Sequence, residues 1–203
     1  MAADIAAILK NLSAFYDFSG KTMVAAGAGG GQFAEYGRWV RRVTAVDLDS
    51  KALETLRAAV ARLGLNDRFA YWQGDFFDCA AAADVVLFEF CLHEMDDPVR
   101  AIAKALELAP DVVIIDHASG SPWSFCAAED DKVSRSWRAV TGFSIERRAE
   151  YACEQRFADF SELETKVRPQ GEESLRRIEP YRGRTEIVIP MAYALAWVRR
   201  RGG

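Results

Sequence analysis

From residue 21 onward, strand-length apolar runs alternate with segments whose apolar positions recur every three or four residues. "KTMVAA" (Lys21–Ala26), "RVTAVDLD", "DRFAYWQGD", "ADVVLFEF" and "DVVIIDHAS" read as five strands. "QFAEYGRWV" reads as a short helix. "SKALETLRAAVARLGL" reads as a long one with Ser50 as its N-cap, and "DPVRAIAKALELA" as a third that carries Pro98 in its first turn. The strands are almost continuously apolar, as expected when helices cover both faces of a sheet. Strands spaced by helices imply parallel pairing through crossover connections. Ahead of them, "MAADIAAILKNLSAFYDF" reads as an amphipathic helix with Ile5, Ile8, Leu9, Leu12 and Phe15 on one side.

After Ser119 the pattern changes. "SGSPWSF" reads as a loop, "CAAEDDKVSRSWRAVTGF" as a helix and "SIERRAEYACEQRFADF" as a strand. "SELETKVRP" and "EESLRRIEP" are helical pieces separated by Gly171, and "RTEIVIPMAYALAWVRR" closes the chain as a long strand. With no helix after it, that last strand is expected antiparallel to its neighbours and paired with the strand near Glu150. Pro190 in its middle predicts a bulge or a missing ladder bond. The fold class is therefore α/β: a doubly wound, mostly parallel, seven-stranded sheet with an antiparallel C-terminal strand.

Composition narrows the function classes. At 203 residues, half of them hydrophobic, the chain suits one domain with a sizeable core. A net charge of −4 argues against a nucleic-acid partner. No apolar run reaches the length of a membrane span, and the N-terminus lacks a basic region followed by a cleavage site, so no membrane partner and a cytoplasmic location are expected. Cys79, Cys91, Cys126 and Cys153 are widely spaced. They read as reduced thiols, because a cysteine zinc site needs close ligand pairs.

The candidate chemistry starts at "VAAGAGGGQFAEYG", where four glycines occupy Gly27 to Gly31. Glycine that dense costs backbone entropy, so something requires a bare backbone there. Gly29, Gly31 and Ala34, with Asp47 after the second strand, satisfy a dinucleotide-binding pattern, which keeps an NAD(P)-dependent oxidoreductase as an alternative. The same residues also read as Gly27-x-Gly29-x-Gly31. "AVDLDS", "WQGDFFD" and "DVVLFEFCLHEMDDP" continue a second pattern that the oxidoreductase reading does not use.

On these motifs the chain resembles the small-molecule branch of the class I S-adenosylmethionine-dependent methyltransferases, by motif over roughly residues 20–120 and by architecture beyond. The resemblance implies the Rossmann-like methyltransferase fold in a single domain, 1–203. Residues 1–19 form its N-terminal helix, 20–120 the cofactor-binding core, and 121–203 the substrate-side helices and C-terminal strand pair. It implies S-adenosylmethionine as cofactor and S-adenosylhomocysteine as product. Gly27, Gly29 and Gly31 line the ligand, Asp47 meets the ribose hydroxyls, Asp75 meets the adenine amine, and Phe76 or Trp72 packs beside the ring. The chemistry agrees: a carboxylate accepts from two hydroxyls at once, and aromatic side chains supply an apolar sandwich. One departure is plain. The family's acidic residue before the glycines falls at Ala25, with Glu35 as a nearby substitute, and a non-catalytic binding module is the reading this departure motivates.

Methyl transfer from a sulfonium mainly asks for alignment, and some acceptors also need a base. The chain's two histidines, His93 in "CLHEM" and His117 in "DHAS", both follow strands where the site is expected, and they are the catalytic candidates. Glu89 ends the fourth strand and can bond a substrate amine or the cofactor. Glu94 reads as a helix-start charge, and Asp116 can orient a ring N–H or cap a turn. Asp116, His117 and Glu89 could gather round a cation, but nothing in their spacing demands one, and no metal is expected. Trp123 and Phe125 in "SPWSFC" are placed to cover a small acceptor. Arg135 and Arg138 around Trp137, and Arg182 with Tyr181, could bind an acidic group or simply be solvated. No length is left for a domain that grips a macromolecule, so the expected partner is a small-molecule methyl acceptor with an N, O or S nucleophile.

Overall fold

A computed structural model describes residues 4–200. Seven strands form one sheet in the order β3-β2-β1-β4-β5-β7-β6. They are β1 (Thr22–Ala26), β2 (Arg42–Asp47), β3 (Phe69–Gln73), β4 (Val85–Glu89), β5 (Asp111–His117), β6 (Ile145–Asp159) and β7 (Thr185–Arg199). The first five are parallel. β7 lies antiparallel between β5 and β6, with Glu150 opposite Ala194.

The period-two alternation of side chains divides the core between two faces. Met23 and Ala25 of β1, with Val113 and Ile115 of β5, face one side. There they meet α1 (Ile5–Phe15), α2 (Ser50–Arg62), α4 (Pro122–Cys126), α6 (Phe160–Val167) and α7 (Glu172–Ile178). Val24, Ala26, Val112 and Ile114 face the other side, against α3 (Pro98–Leu108) and α5 (Asp130–Val140). The apolar side of α1 buries Ile8, Leu9, Leu12 and Phe15, while Ile5 is partly exposed; the first three residues of that predicted segment lie outside the described residues.

Four sequence expectations need correction. Asp49, not Ser50, caps α2, because its Oδ1 accepts from the Lys51 N–H at 2.9 Å and leaves Ser50 as the first helical residue. "QFAEYGRWV" forms only a 3-10 turn at Ala34–Arg38, since Gly37 and its aromatic neighbours are weak helix formers. "SPWSFC" forms the short helix α4 rather than a loop, opened by Pro122. The register between β6 and β7 runs through Pro190, opposite Glu154, so no bulge forms there; the one irregularity lies at Ile145/Arg147.

β5 pairs only with Tyr193–Arg199 of β7, so the Thr185–Ala192 half of β7 continues with β6 beyond the C-terminal ends of the parallel strands. This two-stranded arm, filled from below by α4, α6 and α7, forms a wall over the edge where ligands bind in open α/β sheets.

Candidate functional site

At that edge, Asp47 ends β2, Asp75 follows β3 and Gly27 follows β1. All three line one groove of about 160 Å³, with Phe76 and Gly74 on its wall. The Asp47 Oδ1 accepts from the Asp49 N–H at 2.9 Å. Its Oδ2 lies beside Gly29, where an added Cβ would come within 2.9 Å of it. Asp75 caps the turn over Phe76–Asp78 through its Oδ1, and Phe76 is buried edge-on to Phe88. Leu48, 70 % exposed, stands on the same groove; it lies inside "AVDLDS", where the sequence alone assigns it no role.

The glycines have separate tasks. Gly27 sits at φ +64° against Cys91, whose Cβ would lie 2.4 Å from an added Cβ, and the Cys91 thiol donates to the Ala26 carbonyl. Gly31, at φ +67°, abuts Ala59 and Leu56 of α2, so it serves helix packing rather than facing the groove. The loop leads into a 3-10 turn, so little helix dipole is aimed at a ligand.

Ala25 is fully buried in β1. Glu35 is exposed on the 3-10 turn and lines neither cavity described here. Glu89 is a second carboxyl at the glycine end of the sheet, beside Asp47. β1 and β4 pair Ala26 with Phe88, which brings Glu89 level with Gly27. It is buried, its Oε2 makes no close hydrogen bond, and the Tyr36 hydroxyl faces the carboxyl and favours its charged form. Burial, with Asp47 nearby, raises the Glu89 carboxyl well above the usual carboxylate range. The free Oε2 lone pairs can accept from an ammonium group, so the donor set fits an adenosine bearing an amino acid tail: two carboxylates and an apolar wall along the groove, with the buried Glu89 carboxyl behind Gly27.

A second cavity of about 280 Å³ opens beside the groove, and Glu94 lines both. Its walls include Phe33, Phe90 and Trp123, with Gln155 and Met191 contributed by the arm. Phe90 holds a left-handed backbone, φ +48°, at the end of β4. Its ring stacks on Phe33 and lies 5.0 Å from the His117 ring. Strain at such a position persists only where the surroundings over-determine it.

His93 and His117 both face this cavity, their ring centroids 5.5 Å apart. The carboxylate of Asp116 bonds the His93 Nδ1 at 2.6 Å and also accepts from the backbone N–H groups of His93 and His117. Trp137, expected to stand between two cation-bearing positions, instead buries its indole and donates to the His117 carbonyl at 2.6 Å. Arg135 is tied to the Met95 carbonyl, Arg138 is exposed, and Arg182 pairs with Glu179; none of these three lines the cavity. Phe125 lies outside it as well, half exposed under Arg177.

Glu129 was not singled out in the sequence, where it reads as the charged start of a helix. Here it is buried, 3.8 Å from the His93 Nε2 and 3.7 Å from the His117 Nε2. Burial would lower the His93 ring, but Asp116 and Glu94 outweigh it and raise it to about 10. Burial lowers His117 to about 4 and raises Glu129 to about 6. Glu94, bonded by His93 and Lys132, falls to about 2.

With this geometry in view, comparisons with known proteins show what the chain is similar to. Residues 24–109, the stretch that carries every motif above, match the family model described as a methyltransferase domain. The fold is shared with a protein of Bacillus halodurans proposed to be a methyltransferase, at 16% identity over 98% of this chain and 99% of that one, TM-score 0.69. It is shared too with an S-adenosylmethionine-dependent methyltransferase of Aquifex aeolicus, at 16% identity over 97% and 90%, TM-score 0.60. A precorrin 8w decarboxylase of Methanobacterium thermoautotrophicum has it at 14% identity over 96% and 90%, TM-score 0.61. No curated protein matches in sequence. Residues 24–109 thus match a methyltransferase domain, and the chain as a whole has the fold of the methyltransferases named here. No helix among the described residues is long and apolar enough to cross a membrane.

Proposed function

We propose that the chain transfers a methyl group to an N, O or S nucleophile of a small molecule held in the 280 Å³ cavity. The observation that carries this reading is that the cavity adjoins the carboxylate-lined groove, with Glu94 lining both. A volume of this size is at the small end of the roughly 300–1,000 Å³ typical of ligand pockets. It suits a compact acceptor rather than a strand of nucleic acid or a folded protein.

S-Adenosylmethionine, when bound, supplies an electrophilic methyl group. Asp47 holds its ribose, Asp75 its adenine amine, Phe76 the ring face, and the Gly27 backbone borders its tail. Glu89 takes over the ammonium partner's role left open by Ala25, because its buried Oε2 is otherwise without a hydrogen bond. On the acceptor side, Phe33, Phe90 and Trp123 supply apolar walls. The buried Gln155 Oε1 and His117 Nδ1, both unpartnered, await hydrogen bonds from the acceptor. His93 and His117 border its reacting atom and manage the proton it loses, with Asp116 fixing the His93 ring. Alignment of nucleophile and methyl group in such a site can supply on the order of 7–11 kcal/mol of barrier lowering.

The test is methyl-labelled S-adenosylmethionine incubated with the protein and a cell extract, followed by separation by mass. Label in the low-mass fraction, lost in an Asp47→Asn variant, is the expected result. Label confined to protein or RNA overturns the small-molecule assignment. A melting rise with NAD(H) or NADP(H) and none with S-adenosylhomocysteine overturns the cofactor.

A further inference from the structure

We propose that His93, His117 and Glu129 form a binding site for one divalent transition-metal ion at the inner wall of the acceptor cavity. The three residues offer ligand atoms that all lie within 4.8 Å of one another, and all three side chains are buried. The site needs no methyl transfer to exist.

The spacing is the first argument. The Glu129 Oε2 stands 3.8 Å from one imidazole Nε2 and 3.7 Å from the other. Both separations are too long for hydrogen bonds. Ligands held about 2.0–2.2 Å from a tetrahedral ion stand about 3.4 Å apart, so these two edges need only a few tenths of an ångström of closure. Among the described residues, no hydrogen bond reaches the Glu129 carboxyl or the His117 ring. A buried carboxylate and a buried imidazole facing one another with nothing between them are costly unless a shared partner fills the gap.

The second argument is independent of that spacing. The His93 Nδ1 is held by the Asp116 carboxylate at 2.6 Å, which aims the opposite nitrogen at the cluster. Asp116 is itself anchored by the N–H groups of His93 and His117. A ligand histidine whose far nitrogen bonds a carboxylate is the usual outer-shell support of metal sites. Glu129 is delivered by a left-handed residue, Ala128 at φ +59°, immediately before it. A third carboxylate, Glu94, lies at the rim, 3.4 Å from the His93 Nε2 and tied to Lys132.

Two imidazoles and one carboxylate suit zinc or iron(II) rather than magnesium or calcium, which prefer oxygen donors. The cavity beside the cluster leaves coordination positions open. An acceptor oxygen, nitrogen or sulfur entering there would bind the ion and lose its proton more readily. In the loaded protein His117 is then a ligand, and the ion takes over the acidifying role.

The experiment uses tag-free full-length chain stripped with chelator and titrated calorimetrically with zinc, then with cobalt(II) while visible absorption is recorded. One equivalent per chain is expected, with a nitrogen/oxygen-type cobalt spectrum free of thiolate charge transfer and no competition from millimolar magnesium. Glu129→Gln, close in volume, should abolish the stoichiometric site. Asp116→Asn should weaken it about 10- to 100-fold. Circular dichroism of each variant confirms folding; where Glu129→Gln does not fold, His117→Gln replaces it. Zinc binding unchanged in the folded ligand variants, a thiolate spectrum, or no binding below millimolar zinc each overturns the site. None of these readouts depends on the chain's acceptor or on its cofactor.

Discussion

Asp47→Asn isolates the charge at the ribose position with little else disturbed. The Asp47 Oδ1 already accepts from the Asp49 N–H, and an asparagine carbonyl can keep that bond, so the turn into α2 should survive. What changes is Oδ2, the oxygen beside Gly29, which becomes an amide NH₂ unable to accept from a hydroxyl. One hydrogen bond to a charged group is worth about 1.5–3 kcal/mol. That corresponds to a roughly 10- to 160-fold rise in the dissociation constant of S-adenosylhomocysteine. Asp47→Ala also removes the turn bond, so it should bind at least as weakly and melt lower. The assay is calorimetry with the product, alongside thermal melts of the unliganded variants. Equal affinity in wild type and Asp47→Asn, with both folded, would remove Asp47 from the ligand and refute the groove assignment.

Three further outcomes follow from other parts of the molecule. Burial alone would raise the Asp111 carboxyl, but bonds from Arg199, Tyr16 and Trp197 outweigh it and hold it low. The stability this linkage supplies is present above the unfolded carboxylate value of about 3.9 and disappears as pH falls through the lower folded value. Urea titrations between pH 2 and 6 should lose that slope in Asp111→Asn. Glu89 has the opposite sign. Its raised folded value makes unliganded stability fall as pH climbs above the unfolded glutamate value of about 4.3, and Glu89→Gln should flatten that fall while weakening cofactor binding. An unaltered pH profile and unaltered affinity would exclude Glu89 from both roles. Gly31→Ala places a Cβ 2.8 Å from that of Ala59 in a left-handed backbone, so it should cost about 1–3 kcal/mol of overpacking, read as a lower urea midpoint. Ala59→Gly should restore part of it, and full additivity of the two changes would disprove the contact.

The sheet was legible because strands covered on both faces show up as apolar runs: β1, β4 and β5 are buried that way, while the edge strand β3 buries only Phe69. Local boundaries were less so. "DLDS" offers two adjacent cap-type residues, and only the Asp49 bond to Lys51 decides between them. Around Gly37 the apolar spacing suggested a helix, while glycine and packed rings left a single 3-10 turn.

The two halves of the site differ for the same physical reason. A cofactor groove at strand ends is built from short loops, each adjacent in sequence to the strand that aims it, so Gly27, Asp47 and Asp75 carry their context with them. The acceptor side is assembled across the chain. Asp116 could be suspected of orienting a ring because it neighbours His117, yet the ring it holds is that of His93, brought alongside by the pairing of β4 with β5. Glu129 reaches the same point through the left-handed turn at Ala128, and Gln155 and Met191 arrive on an arm whose overhang depends on β7 outrunning β5. No periodicity records those meetings. On the proposed assignment, substrate choice resides in long-range packing, where substitutions can alter the acceptor without touching a single cofactor motif.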